Sequence, residues 1–142
     1  MNEAGGWDFE DLEIGTTSSF SKTVTDADIV LFAGISGDTN PVHLDHDYAS
    51  GTMFKGRIAH GMLTAAFLSA VLGARMPGPG AIYLSQSLRF RAPVRIGDTV
   101  RARATVTALD VKRRRATLET KCTVGDTVVV DGEAVVMVPA RA

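Results

Sequence analysis

Cysteine is almost absent: Cys122 is the only one among 142 residues, and no CxxC pair or Cys/His array accompanies it. An intrachain disulfide and a structural zinc site are thereby excluded, and a reducing compartment is the expected setting. An excess of either charge is also missing. Lys and Arg number 15 against 16 Asp and Glu, for a net charge of −1. Without a broad positive field the chain is not expected to hold nucleic acid or anionic lipid, so any anionic ligand has to be met locally. Long apolar runs are lacking too. The longest segment free of Asp, Glu, Lys and Arg, Ile58–Ala74, has 17 residues and contains His60, Thr64 and Ser69, whereas a membrane span needs roughly 20 apolar residues. The acidic N-terminus, MNEAGGWDFEDLEIG, has neither the basic stretch nor the apolar centre of a signal peptide, and a cytoplasmic location with no membrane contact is expected. Repeats, low-complexity stretches and linkers are absent. With 45% hydrophobic residues, the chain reads as one domain over 1–142, residues 1–10 being a possible extension.

What is present divides into two halves. Of 15 valines, 11 lie after residue 93, and such β-branched enrichment favours strands. From Thr99, Val100, Ala102, Ala104, Val106 and Ala108 alternate with polar residues, which predicts a strand with one buried face. After a charged hairpin tip at Lys112–Arg115, Ala116, Leu118, Cys122 and Val124 repeat the pattern with Thr120 in the same row. Thr127–Val138 follows the Gly125-Asp126 turn, with Gly132 a bulge or kink, completing an antiparallel meander. Further strands are predicted over Ala81–Arg91 and near Thr16–Val24. Thr25-Asp26 caps a short helix through Ile35, and Asp45 opens another near Tyr48. Gly61 to about Arg75 is a helix with almost no polar face, about 22 Å long, long enough to cross a five-stranded sheet. The predicted class is α+β: a curved antiparallel sheet wrapped around one long central apolar helix.

Reactive side chains concentrate in SGDTNPVHLDHDYA, residues 36–49, which the Gly37, Asn40 and Pro41 positions predict to be a loop. Asp38 and His43 can converge there, and a carboxylate with an imidazole suffices to move protons near neutral pH. The same residues also suit a structural role, with Asp38 capping a turn and His43 bonding a backbone carbonyl. Asp38, His43, Asp45 and His46 match no recognised metal-ligand spacing, so no metal is expected. In GRIAHGMLTAAFLS, residues 56–69, His60-Gly61 stands at the helix start, where unpaired N–H groups and the helix dipole make a candidate oxyanion site. Ser69 lies about two turns on, near the same face as Gly61. Taken singly, His60 reads as a structural histidine, and Ser69 as a serine bonded to the preceding turn.

Asp38-x-Asn40-Pro41-x-His43, Phe54 and Ile58-Ala59-His60-Gly61-Met62 together resemble the hydratase motif of MaoC-like, (R)-specific enoyl-CoA hydratases, which have the hot-dog fold. The likeness continues through Gly80–Phe90, Pro93-Val94, Gly97-Asp98 and Gly132–Val136. It implies hydration of trans-2-enoyl-CoA to (R)-3-hydroxyacyl-CoA, of the kind that supplies polyhydroxyalkanoate synthesis, without a cofactor and in a homodimer. It also implies Asp38 and His43 as the catalytic pair, the Gly61 N–H as oxyanion donor, Ser69 near the thioester and Asn40 orienting its neighbours. Leu72, on the helix flank, is a candidate for the acyl pocket. The alternatives are a hot-dog thioesterase, a dehydratase acting on acyl-carrier-protein thioesters, and a non-catalytic acyl-CoA-binding subunit.

Overall fold

The computed structural model describes the whole chain, Met1–Ala142. Six strands form one antiparallel sheet: β1 (Thr17–Thr23), β2 (Ile82–Gln86), β3 (Arg89–Phe90), β4 (Thr99–Asp110), β5 (Arg115–Val124) and β6 (Thr127–Met137). The order is β1-β4-β5-β6-β2, and β3 pairs with β6 beside β2. The expected meander is therefore β4-β5-β6. Its inner face carries the predicted row of small residues, with Ala102, Ala104, Ala116 and Ala134 fully buried. Short side chains here let a helix approach closely. That helix, α4 (Gly61–Ala74), crosses the sheet and drives Leu63, Phe67, Leu68, Val71 and Leu72 into it. Thr120, the polar member of the row, is buried but accepts a hydrogen bond from Gln86 Nε2 at 2.8 Å.

Four expectations about these elements require correction. Ala108 is exposed, because the β4–β5 register shifts after Val106 and turns the row outward. Ala81–Arg91 is two strands instead of one, and the break at Ser87-Leu88 lies opposite Gly132, where a Cβ would come within 1.8 Å of the Ser87 carbonyl oxygen. The kink therefore belongs to the partner strands, while the β5–β6 register shift falls at Cys122/Thr123. Nor is α4 covered all round: Met62, Ala66, Ser69 and Gly73 form an exposed stripe along it.

Residues 1–10, expected as a possible extension, are tied to the body. Trp7 N–H donates to the Pro77 carbonyl at 2.7 Å and Phe9 N–H to that of Pro139 at 2.8 Å, with the Phe9 side chain buried. No helix is long and apolar enough to cross a membrane.

Candidate active site

Helix α1 (Asp26–Ser36) begins with a capping box, in which Thr25 Oγ1 accepts from Asp28 N–H while the Asp28 carboxylate accepts from Thr25 N–H. It stops at Gly37, whose φ of 78° is left-handed, a conformation glycine adopts without penalty. Asp38 therefore leaves the helix end on a sharp turn. The segment that follows, predicted to be a loop, is largely helical. Asn40 Oδ1 accepts from Val42 N–H at 3.1 Å, and Pro41, with its φ already set, occupies the first turn of α2 (Pro41–Leu44). His43 is thus held on one turn of helix. Arg57 clamps that turn, donating from Nε to the His43 carbonyl at 2.7 Å and pairing with Asp26 at 2.6 Å. Asp45 accepts from Tyr48 N–H and so opens α3 (His46–Ser50), on which His46 is exposed. Neither residue joins Asp38 and His43.

His60 is the residue that does. A carboxylate oxygen of Asp38 and one ring nitrogen each of His43 and His60 lie within 4.8 Å of one another. The two imidazoles stack, their centroids 3.8 Å apart and their planes 27° from parallel. His43 Nδ1 lies 2.8 Å from the Ile58 carbonyl oxygen, which makes it a donor and leaves Nε2 as the bare lone pair. Nε2 has no protein partner, yet it keeps access to solvent. Burial disfavours the imidazolium and holds His43 below the usual histidine range, and His60 adds to the effect. The Ile58 bond and Asp38 act in the opposite direction without reversing it. His43 is consequently a neutral base at pH 7.

Beside this group opens a cavity of about 510 Å³, walled by apolar side chains including Met53, Phe54, Phe90 and Val130 and bordered by Asp38, His60 and Gly61. Gly61 is the first residue of α4, and neither a side-chain cap nor a backbone acceptor takes up its N–H. The N–H is available to a ligand, with the helix dipole behind it. Phe90 packs directly over this glycine.

Asp38 and Gly61 border the cavity and His43 joins them through its stack on His60, while the other three candidates do not line it. Asn40 caps α2. Ser69 is exposed on the open stripe of α4, and Leu72 is buried in the core. From the sequence His60 reads as purely structural, because no reactive side chain stands close to it along the chain. Its position at the start of the apolar helix, beside Gly61, was the one available hint. Cys122 does not line the cavity, and burial pushes its thiol up to about 12.

A sheet curved around a central helix, with an imidazole and a carboxylate gathered at that helix's N-terminus, defines a hot-dog protein equipped for acid/base work. The chain belongs to the MaoC-like domain family, whose sequence model matches residues 11–130. It is 61% identical to the (R)-specific enoyl-CoA hydratase of Rhodospirillum rubrum over 94% of this chain and 92% of that protein. It is 56% identical to the 3-hydroxybutyryl-CoA dehydratase of Methylorubrum extorquens over 94% of this chain and 85% of that one. Among solved structures, unliganded R-hydratase PhaJ1 from Pseudomonas aeruginosa superposes with a TM-score of 0.91 at 42% identity, covering 96% of this chain and 88% of that one.

Proposed function

We propose that this protein is an (R)-specific enoyl-CoA hydratase, adding water across trans-2-enoyl-CoA to give (R)-3-hydroxyacyl-CoA. The observation that carries the reading is the convergence of Asp38 and His43 on His60, the residue before Gly61, beside an apolar cavity bordered by Asp38 and by Gly61 with its free N–H. Two hydrogen bonds of about 2.8 Å meeting near the tetrahedral angle span about 4.5 Å, so a single water fits between a carboxylate oxygen and an imidazole nitrogen at this separation. The water oxygen bonds to C3, the alkene electrons move toward C2 and the thioester, and charge develops on the thioester oxygen. Gly61 N–H donates to that oxygen, a contact whose loss typically costs about 3 kcal/mol. The water proton passes to the Asp38/His43 pair, and a proton from the pair reaches C2, leaving both residues as they began.

The handle of the substrate is CoA, the acyl chain entering the apolar cavity. A homodimer completes the reading. Ile82, Tyr83 and Leu84 are exposed on edge strand β2, and α4 has its uncovered stripe, so a second copy would shelter both. The reading also carries a cytoplasmic location, where a lone thiol stays reduced. Crotonyl-CoA tests it: loss of the conjugated enoyl absorbance without release of free thiol is expected. Thiol release without enoyl loss would instead identify a thioesterase, and neither signal a binding subunit. Turnover confined to the acyl-carrier-protein thioester would reassign the carrier.

A further inference from the structure

We propose that His60 is a positioning residue for the Asp38/His43 pair, one ring holding the main chain of the first and the imidazole of the second. The inference rests on the hydratase reading and adds to it a residue that the reaction itself does not require.

Three observations support it. First, His60 is 1% exposed, and its Nε2 lies 2.9 Å from the Asp38 carbonyl oxygen. A carbonyl only accepts, so Nε2 carries the proton. Asp38 follows the left-handed Gly37 and precedes α2, so no regular secondary structure holds it. Its remaining ties are local ones: its own N–H donates to Ser36 Oγ, and its carboxylate accepts from Asn40 N–H. The His60 bond alone fastens this turn to the start of α4.

Second, the His60 ring stacks on His43 at 3.8 Å, while Phe32 presses on it at 4.8 Å with the planes tilted by 54°. His43 is thereby confined between its Ile58 hydrogen bond and an aromatic face, which limits rotation of the ring carrying Nε2. Third, His60 Nδ1 is buried without a partner. Such an atom is a loss that an apolar side chain would avoid. A histidine is tolerated here because its other nitrogen and its ring face each hold something. His60 is also adjacent to Gly61, so the residue that aligns the proton-transfer pair shares its backbone with the N–H facing the thioester oxygen.

Two variants separate the contacts. His60→Phe keeps a ring against His43 and loses the donor to Asp38, while His60→Gln keeps a side-chain N–H and loses the stack. For crotonyl-CoA, kcat is expected to fall 10- to 100-fold in each, with KM within threefold of the parent. The groups facing His43 are Asp38 and His60, with the Ile58 carbonyl on Nδ1 and Arg57 on its backbone. Removing His60 takes away a neighbour that holds His43 down, so the acid limb of the kcat profile is expected to move upward in both variants. A kcat within threefold of the parent in both, or acid limbs that do not move, would overturn the proposal. A third measurement needs neither a variant nor turnover. Nitrogen-15 NMR of the intact protein at pH 8 should show His60 as the Nε2–H tautomer and His43 as Nδ1–H. A proton on His60 Nδ1 would refute the assignment even if the variants failed to fold. Because this readout is independent of activity, failure of the hydratase reading would be seen separately, in the crotonyl-CoA assay of the parent protein.

Discussion

Gly61→Ala tests how closely the site is built. A Cβ at this position would lie 2.6 Å from Phe90 Cδ1, 2.7 Å from Cε1 and 3.3 Å from Cγ. Carbon atoms rest about 3.5–4.0 Å apart, so the ring has to retreat by about 1 Å. It can do so. Phe90 is half exposed on a two-residue strand at the sheet edge, which keeps the cost at or below the ~1–3 kcal/mol of ordinary overpacking. Alanine's better helix propensity offsets part of this. At roughly 4 °C per kcal/mol for a domain of this size, Tm should fall by less than about 8 °C.

The effect on activity should be far larger. Phe90 and Gly61 border the same cavity beside Asp38, and a misplacement of about 1 Å in such a site can cost about 10²-fold. We expect kcat/KM for crotonyl-CoA, followed by enoyl absorbance, to drop by about that factor while the fold persists. The cause is checked with Phe90→Ala. If the clash is responsible, Gly61→Ala should have little further effect in the Phe90→Ala background, giving a strong coupling between the two sites. A Gly61→Ala enzyme within threefold of wild type, or losses that simply multiply in the double variant, would refute the reasoning.

Asp38→Asn and His43→Ala should each reduce kcat by about 10²–10⁴-fold while size-exclusion chromatography with light scattering still reports about twice the 15.1 kDa chain mass; near-normal rates would remove the pair from the mechanism. Burial keeps His43 below its ordinary value of 6.5, so the acid limb of kcat/KM should fall below pH 6.5. The sign for stability follows from the unfolded chain binding the proton first. The His43 contribution is complete above about pH 6.5 and is lost as pH falls through the lower folded value, so Tm should decline on acidification by less in His43→Asn than in wild type. Gly132→Ala would place a Cβ 1.8 Å from the Ser87 carbonyl oxygen, backbone against sheet, and should cost about 3 kcal/mol or more in urea denaturation; an unchanged midpoint would contradict it. Cys122, buried and with its thiol pushed up to about 12, should resist thiol reagents at pH 8 until the protein unfolds.

The regular parts of this fold were legible because their causes are local. Alternation of Val100, Ala102, Ala104 and Val106 identified β4, and the apolar run after Gly61 identified α4. Thr25 and Asp45 marked helix starts through capping, which involves only the next three residues. The outward turn at Ala108 is invisible in the sequence because a one-residue register shift leaves composition and local pattern unchanged. The break at Ser87-Leu88 was hidden for a related reason: its counterpart, Gly132, is on another strand. The stripe of Met62, Ala66, Ser69 and Gly73 reads as continuous with the rest of an apolar helix, and only the sheet's reach decides which side stays open.

By itself, then, the sequence determined the class of fold, the helix starts at Thr25 and Asp45, and the placing of Asp38 and His43 in one short segment with Asn40 and Pro41. It also determined the family, through a motif whose spacing is fixed along the chain. The tertiary structure alone decided that Ser69 and Leu72 stand apart from the cavity, that Phe90 closes over Gly61, and that His60 stacks on His43 while bonding Asp38. Those relations join α4, β3 and the turn after α1, segments far apart in sequence. Backbone propensity and periodicity act over a few residues, whereas stacking and hydrogen bonding across such distances exist only once the sheet has curved around its helix.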